Sequence, residues 1–376
     1  MYMMPILRPT VAEVDLKKLA RNMRKAVSYT HLRAHEAGEG VRVLTVLKAN
    51  AYGHGAVPLG LFLEKNKLSD FFGAASVEEA LQLRQAGISL PILVLGSIYP
   101  FEAFEYAIKN NIAITIASLD AAKAVCEIAE KIGKKALCHV KQDTGMGRIG
   151  TRRGGVFNVI EYLDKNPYVI LDGLFTHLSS VETDPAYTEE QIGYYRDTLT
   201  NVHLKGIHIN YCHVAASSAI TARPDVHYDM VRTGHSAFGL EAGFEPILSL
   251  KTRVVYVKDI PAGASISYNR SFIAPAPMKV ATLPLGYGDG YLRALSNKAE
   301  VLINGKRCRV LGNITMDMMM VDITNAGSVK VGDEAVAVGR QGNEEITYAE
   351  LAEKAGTIDY ELCTLLMMRV PRIYKE

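Results

Sequence analysis

The 376-residue chain has almost no net charge, since 42 basic residues against 40 acidic ones leave +2. That balance excludes the strongly basic face of a nucleic-acid binder and offers nothing to an anionic membrane surface. No apolar run reaches the length of a bilayer span. The N-terminal stretch lacks a signal-peptide layout, because its only base, Arg8, follows the short apolar run. Cysteine is sparse. Cys126, Cys138, Cys212, Cys308 and Cys363 are widely spaced, form no CxxC pair and are odd in number. This argues against a disulfide framework and fits a reducing cytoplasm. Low-complexity linkers are missing too. What is present is a globular composition, 48% hydrophobic and 22% charged, in a chain too long for one ordinary core.

The first two-thirds alternates strand-like and helix-like segments. Residues 42–47, 71–75, 91–95, 112–116, 136–140, 169–175, 209–213 and the stretch around Met230 read as strands. Ser76-Val-Glu-Glu79 is a capping box opening a helix that Gly87 stops, and Ser118 opens another that ends near Gly133. About eight βα units in this length predict an α/β fold, an N-terminal (β/α)8 TIM-type barrel over residues 1–245. After Pro246 the segments are short and β-rich, at 249–257, 264–267, 280–283, 299–303, 307–311, 318–323 and 334–338, with turns such as Asn304-Gly305. They predict a C-terminal mainly-β domain over 246–376, with a short N-terminal segment packing on it. A late helix follows Thr347. Residues 26–40 (AVSYTHLRAHEAGEG) have no clear apolar period and read as foreign to this pattern; VSYTHLRAHE resembles translated sequencing-adapter sequence. His31 and His35 lie at helical spacing there, but no carboxylate or cysteine completes a metal site, and none is expected.

Barrel chemistry sits at the C-terminal ends of strands, and Lys48, Lys141, Arg148, His177, Ser217 and Arg232 all fall there. Lys48 ends an apolar run and begins Lys48-Ala-Asn-Ala-Tyr52-Gly-His-Gly55. A lysine at a strand end is ordinarily a solvated charge. Against an apolar wall its pKa falls, and the amine is freed to attack a carbonyl. A glycine-rich loop, His139-Val-Lys141-Gln-Asp-Thr-Gly-Met-Gly-Arg148, suits either an anion or a structural salt bridge.

Taken together these strings resemble alanine racemases, which depend on pyridoxal 5'-phosphate. The resemblance runs through Lys48 to Gly55, His139 to Gly150, Phe175-Thr-His177, His213-Val-Ala-Ala-Ser217, Met230-Val-Arg232-Thr-Gly234-His235, Ile266-Ser-Tyr268, Gly286-Tyr287-Gly-Asp-Gly, Met316-Asp317 and Arg369-Val-Pro-Arg372. It implies a cofactor-bearing lysine at Lys48 and a second catalytic base at Tyr268. Lys48 is expected to serve the D-enantiomer and Tyr268 the L-enantiomer. Tyr52, Arg148, His177, Ser217, Arg232, Gly234 and His235 are expected at the cofactor, with His177 bonded to the arginine at the pyridine nitrogen. Arg148 and the Met316 amide are expected at the substrate carboxylate. Lys141, carbamylated in some members, Tyr287 and Asp317 are expected at the entrance or behind these groups.

The chain departs from the pattern at Ala216, where asparagine is usual, and at His235, Asn269, Asn313, Thr315 and Met368. An arginine at the pyridine nitrogen cannot accept its proton, which favours proton return over transamination. It also disfavours decarboxylases of this architecture, which use a glutamate there. The implied activity is interconversion of L- and D-alanine for peptidoglycan. A serine or broad-specificity racemase and a non-catalytic cofactor carrier are the alternatives. The implied state is a cytoplasmic homodimer with shared active sites.

Overall fold

A computed structural model describes residues 7–31, 40–152 and 154–376. The chain folds into two compact units. One holds Ala20–Ala51 and Ala56–Ala237. The other holds the chain up to Leu19, Tyr52–Gly55 and Phe238–Glu376. After strand β1 (Val11–Asp15), the first unit contributes β2 (Arg42–Val46), β3 (Phe71–Ala74), β4 (Ile92–Val94), β5 (Ile112–Ile116), β6 (Ala136–Lys141), β7 (Val169–Phe175), β8 (Tyr211–His213) and β9 (Met230–Thr233). Their order is β8-β7-β6-β5-β4-β3-β2-β9, all parallel. An isolated parallel bridge, Ala216 to Arg232, joins the two ends, so this is the expected barrel.

Strands of such a barrel are covered on both faces, and they read as continuous apolar runs. Accordingly β3, β4 and β5 are buried at every residue. Each strand from β2 to β8 leads to a helix among the described residues. Ser76 and Ser118 start two of them by accepting the N–H groups of Glu79 and Ala121. The capping box at Ser76 is only half formed. Glu79 reaches back past Ser76 and accepts the N–H of Ala75 at 2.7 Å instead.

The second unit is built round a sheet of β1, β10 (Leu248–Arg253), β11 (Tyr256–Ile260), β14 (Met278–Leu283), β15 (Glu300–Ile303), β16 (Lys306–Leu311), β17 (Met319–Asp322), β18 (Glu334–Gln341), β19 (Glu344–Ile346) and β20 (Arg372–Lys375), with β12 (Ser265–Ile266) and β13 (Phe272–Ile273) as a separate hairpin. Strand β1 lies between β10, antiparallel, and β20, parallel. It alternates half-buried and buried residues, as a strand with one covered face should. The stretch 249–257, expected as one strand, is two, broken at Val254 and Val255.

The helix Leu16–His31 runs into the segment that looked foreign in the sequence; residues 32–39 of that segment, including His35, lie outside the described residues. Among the described residues no helix is long and apolar enough to cross a membrane.

Candidate active site

Lys48 follows β2 after a single residue, Leu47, and is half-buried. Burial holds its amine below the ordinary lysine range; the positive charge of Arg148 adds to this and Glu79 opposes it. The next residues turn left-handed, with φ of 51°, 55°, 53° and 52° at Ala49, Asn50, Ala51 and Tyr52. Non-glycine residues rarely hold that conformation, so something must pin it. Glu79 accepts the Ala49 N–H at 2.8 Å, and Asn50 Oδ1 accepts the Ala56 N–H at 2.9 Å. In the sequence Glu79 signals nothing beyond a helix cap, because it meets Lys48 only through the packing of the next βα unit.

The other strand-end residues gather at the same barrel mouth. Arg232, on β9, is 5% exposed. Its Nη1 donates to His213 Nδ1 at 2.9 Å and to the His213 carbonyl at 3.1 Å. Its Nη2 donates to the carbonyls of Thr176 and Val214 at 2.8 and 2.9 Å. The four terminal N–H groups are thereby engaged. The Nε–H has no acceptor among the described residues, which suits a ring nitrogen that only accepts. The histidine on Arg232 is therefore His213, where His177 was expected. His213 ends β8, alongside the Ala216 to Arg232 bridge, whereas His177 lies beyond the end of β7.

His177 instead feels the cations collectively. Burial, then Arg232, Lys141, Arg148 and Lys48, push its pKa down to about 2. Lys141 is buried on β6 with its Nζ 4.2 Å from the centre of the Phe175 ring, and burial together with Arg232 and Arg148 holds its amine well below the usual value. A mouth carrying this many positive groups fits a ligand with anionic ends.

Arg148 is exposed and has no hydrogen-bond partner among the described residues. Its loop is shaped by Asp143, which accepts the N–H groups of Gly145 and Gly147 at 3.0 and 2.9 Å and Arg152 Nε at 2.9 Å. Ser217 Oγ accepts the Gly234 N–H at 3.3 Å and approaches the Ser236 N–H at 3.5 Å. A hydroxyl clustered with backbone amides suits a phosphate. These donors, the unengaged Arg232 Nε–H and the Lys48 amine fit the three ends of pyridoxal 5'-phosphate.

In the β unit, the Tyr52 ring packs against Phe238 and Tyr360, with centroids 5.3 and 5.9 Å away, and burial pushes its phenol up to about 12. Gly53 has φ 79°, and a Cβ there would lie 2.1 Å from the Cys363 carbonyl oxygen, so glycine is required. Tyr268 is 70% exposed. Its neighbours Ser267, Asn269 and Arg270 all have positive φ, of 66°, 58° and 50°. Asparagine at 269 thus fills a left-handed position well.

Tyr287 and Gly288 donate their N–H groups to the carbonyls of Thr315 and Met316, and the Met316 N–H has no acceptor among the described residues. Asp317 accepts Arg369 Nη1 at 2.7 Å. The hub of this region is Asp289, fully buried, which accepts from both Arg8 and Arg369 and from the Gly286 N–H. Its place in Gly-Tyr-Gly-Asp-Gly was the available signal, since buried carboxylates are almost always paired. Met368, one of the departures from the family pattern, is 86% exposed and carries no side-chain donor.

A parallel barrel closed by the Ala216 to Arg232 bridge, with a lysine amine at a cationic strand mouth, is an α/β-barrel fold with its polar groups gathered at one end. Residues 14–242 match the alanine racemase N-terminal domain, and residues 247–374 match the alanine racemase C-terminal domain. The chain is 40% identical to alanine racemase 2 of Caldanaerobacter subterraneus subsp. tengcongensis, covering 98% of this chain and 95% of that protein. It superposes on the Clostridium difficile 630 alanine racemase with a TM-score of 0.92 at 37% identity, covering 99% and 97% of the two chains. On the Bacillus anthracis alanine racemase with bound L-Ala-P the TM-score is 0.89 at 33% identity, over 99% and 96%. The chain belongs to the alanine racemase family.

Proposed function

We propose that this protein interconverts L- and D-alanine with pyridoxal 5'-phosphate as cofactor, in the cytoplasm, and supplies D-alanine for peptidoglycan. The observation that carries this is Lys48, a half-buried amine with depressed pKa at a strand mouth, in a chain that matches the alanine racemase domains over residues 14–242 and 247–374. Lys48 would hold the cofactor carbonyl carbon. Ser217 with the amides of Gly234 and His235 would hold the phosphate, Arg232 would face the pyridine nitrogen, and Tyr52 would contact the cofactor. When bound, the cofactor supplies a conjugated ring that withdraws electrons from the substrate α-carbon.

The chain's own residues do the rest. Arg148, whose guanidinium has no hydrogen-bond partner among the described residues, binds the substrate carboxylate, and the Met316 amide, likewise without an acceptor among them, supplies a further donor. Lys141 is within electrostatic reach of Arg148, and a carbamate formed there from its amine and CO2, with release of a proton, would place a negative charge near that arginine. Lys48 Nζ takes or returns the α-proton on one face, and Tyr268 Oη does so on the other. Burial lowers the Arg232 pKa only to about 10, so at neutral pH it donates and cannot take a proton. The exposed Tyr268 reaches the site of a second copy, which makes the active form a homodimer. Tyr287 and Asp317 line the approach.

The test is an α-proton assay. The protein with pyridoxal 5'-phosphate is given L-alanine, and separately L-serine, in D2O; NMR follows loss of the α-proton and chiral chromatography follows the D-isomer. Deuterium uptake with D-alanine formation is expected, abolished in Tyr268→Phe. Faster serine turnover would move the substrate to serine, and cofactor binding without exchange would leave only a carrier.

A further inference from the structure

Behind Arg232 lies a chain of polar groups that the reaction itself does not use. His213 Nε2 is 3.0 Å from His139 Nδ1, and His139 Nε2 is 3.3 Å from Asp172 Oδ2. Asn210 donates to the other oxygen of Asp172 at 2.8 Å. Both histidines are fully buried, while the Asp172 side chain is 14% exposed.

The direction of every bond is fixed by the two ends. Arg232 can only donate, so His213 Nδ1 must accept and the single His213 proton sits on Nε2. That proton points at His139 Nδ1, which must then accept, so the His139 proton sits on Nε2 and is given to Asp172. A carboxylate can only accept, and the series closes without conflict. Burial and Arg232 hold the His213 pKa well below its ordinary value, which keeps the ring neutral as this pattern needs.

The surroundings are shaped for these rings. The β6–β7 register shifts between Cys138 and His139. Opposite lies Gly173, where a Cβ would meet His139 Nδ1 at 2.1 Å. Phe175 stacks on His213, with centroids 4.6 Å apart and planes 5° from parallel.

We propose that Asp172 is a remote positioning residue for Arg232, fixing through His139 and His213 the tautomer that presents an acceptor to its guanidinium. Without an acceptor at Asp172, His139 is free to carry its proton on Nδ1. It would then confront His213 Nε2–H, and relieving that clash turns His213 Nδ1 into a donor against Arg232. The proposal rests on the reading of Arg232 as the group facing the pyridine nitrogen.

The experiment is 15N NMR of histidine-labelled, cofactor-free protein, comparing wild type with Asp172→Ala and Asp172→Asn. Both His139 and His213 are expected as Nε2–H tautomers in wild type. They should stay so in the Asn variant, whose amide oxygen still accepts, and lose that state in the Ala variant. In the holoenzyme the Ala variant should lose about tenfold in kcat, with the KM for alanine little changed and the Asn variant close to wild type. A doubly protonated or Nδ1–H His139 in wild type overturns the proposal without any variant, and so do unchanged tautomers in Asp172→Ala. If the tautomers respond as stated but the protein racemises nothing, the relay stands and the functional reading falls.

Discussion

Asn313 holds the backbone of Tyr268: its Nδ2 donates to the Tyr268 carbonyl at 3.0 Å, while its own carbonyl accepts Ser267 Oγ at 2.6 Å. The residue that departs from the family pattern is thus the anchor of a loop with three positive-φ positions. Such strain persists only where the surroundings over-determine it.

Replacing that anchor should misplace the tyrosine and leave the lysine alone. In Asn313→Ala, α-proton exchange from L-alanine is expected to slow by about 100-fold, the scale of a 1 Å misplacement. Exchange from D-alanine, assigned to Lys48, should persist. Equal loss from both enantiomers in D2O would contradict the separate roles of the two bases.

Glu79 should tune Lys48. Its carboxylate favours the ammonium form, so removing the charge lowers the amine pKa further. In cofactor-free Glu79→Gln, acylation of Lys48 read by mass spectrometry should reach half its plateau rate at lower pH than in wild type. A midpoint that stays put or moves up would show that Glu79 acts only on the Ala49 N–H.

Acid should destabilise the fold through its neutral histidines. His177 has a folded pKa of about 2, below the unfolded value near 6.5. Between these values the unfolded chain binds more protons, so stability rises with pH, is complete above about 6.5 and is lost as pH falls. Between pH 7 and pH 5, His177→Gln should lose about 2 kcal/mol less unfolding free energy than wild type. Denaturant titrations at the two pH values measure the difference; equal losses would mean that His177 is protonated in the folded state.

Ala216 occupies the N-cap of the helix Ser217–Ala222, with extended backbone and no side-chain bond to the helix. Ala216→Asn supplies the missing acceptor and should add about 1 kcal/mol of stability, seen as a higher thermal midpoint. An unchanged or lower midpoint would show that the site has no room for the cap.

The barrel was legible because parallel strands buried on both faces appear as apolar runs with a polar residue at each end, as in residues 42–48. Lys48 and Arg232 could be placed at strand ends for that reason, and Asn269 in a left-handed position from its chemistry alone; Ser217 instead opens the helix after β8. Which histidine meets Arg232 was not legible. That choice depends on where β8 and β9 close the barrel, a register that no local pattern carries. Glu79 and Asn313 were hidden for the same reason, since each acts on a residue far away in the chain only after tertiary packing. The helix leading to the Lys48 strand runs on through residues 26–31 although they lack a clear apolar period, because the amphipathic turns before them carry it.

The sheet of the β unit sets β1 between two strands that follow the whole barrel in the chain, β10 on one side and β20 on the other. During synthesis β1 leaves the ribosome before any barrel strand and must wait, unpaired, until the barrel has been made. It gains one neighbour with β10 and the second only with β20. The β unit therefore closes late, and while β20 is still unmade, or in a variant cut short before Arg372, β1 keeps one open edge that another chain can occupy.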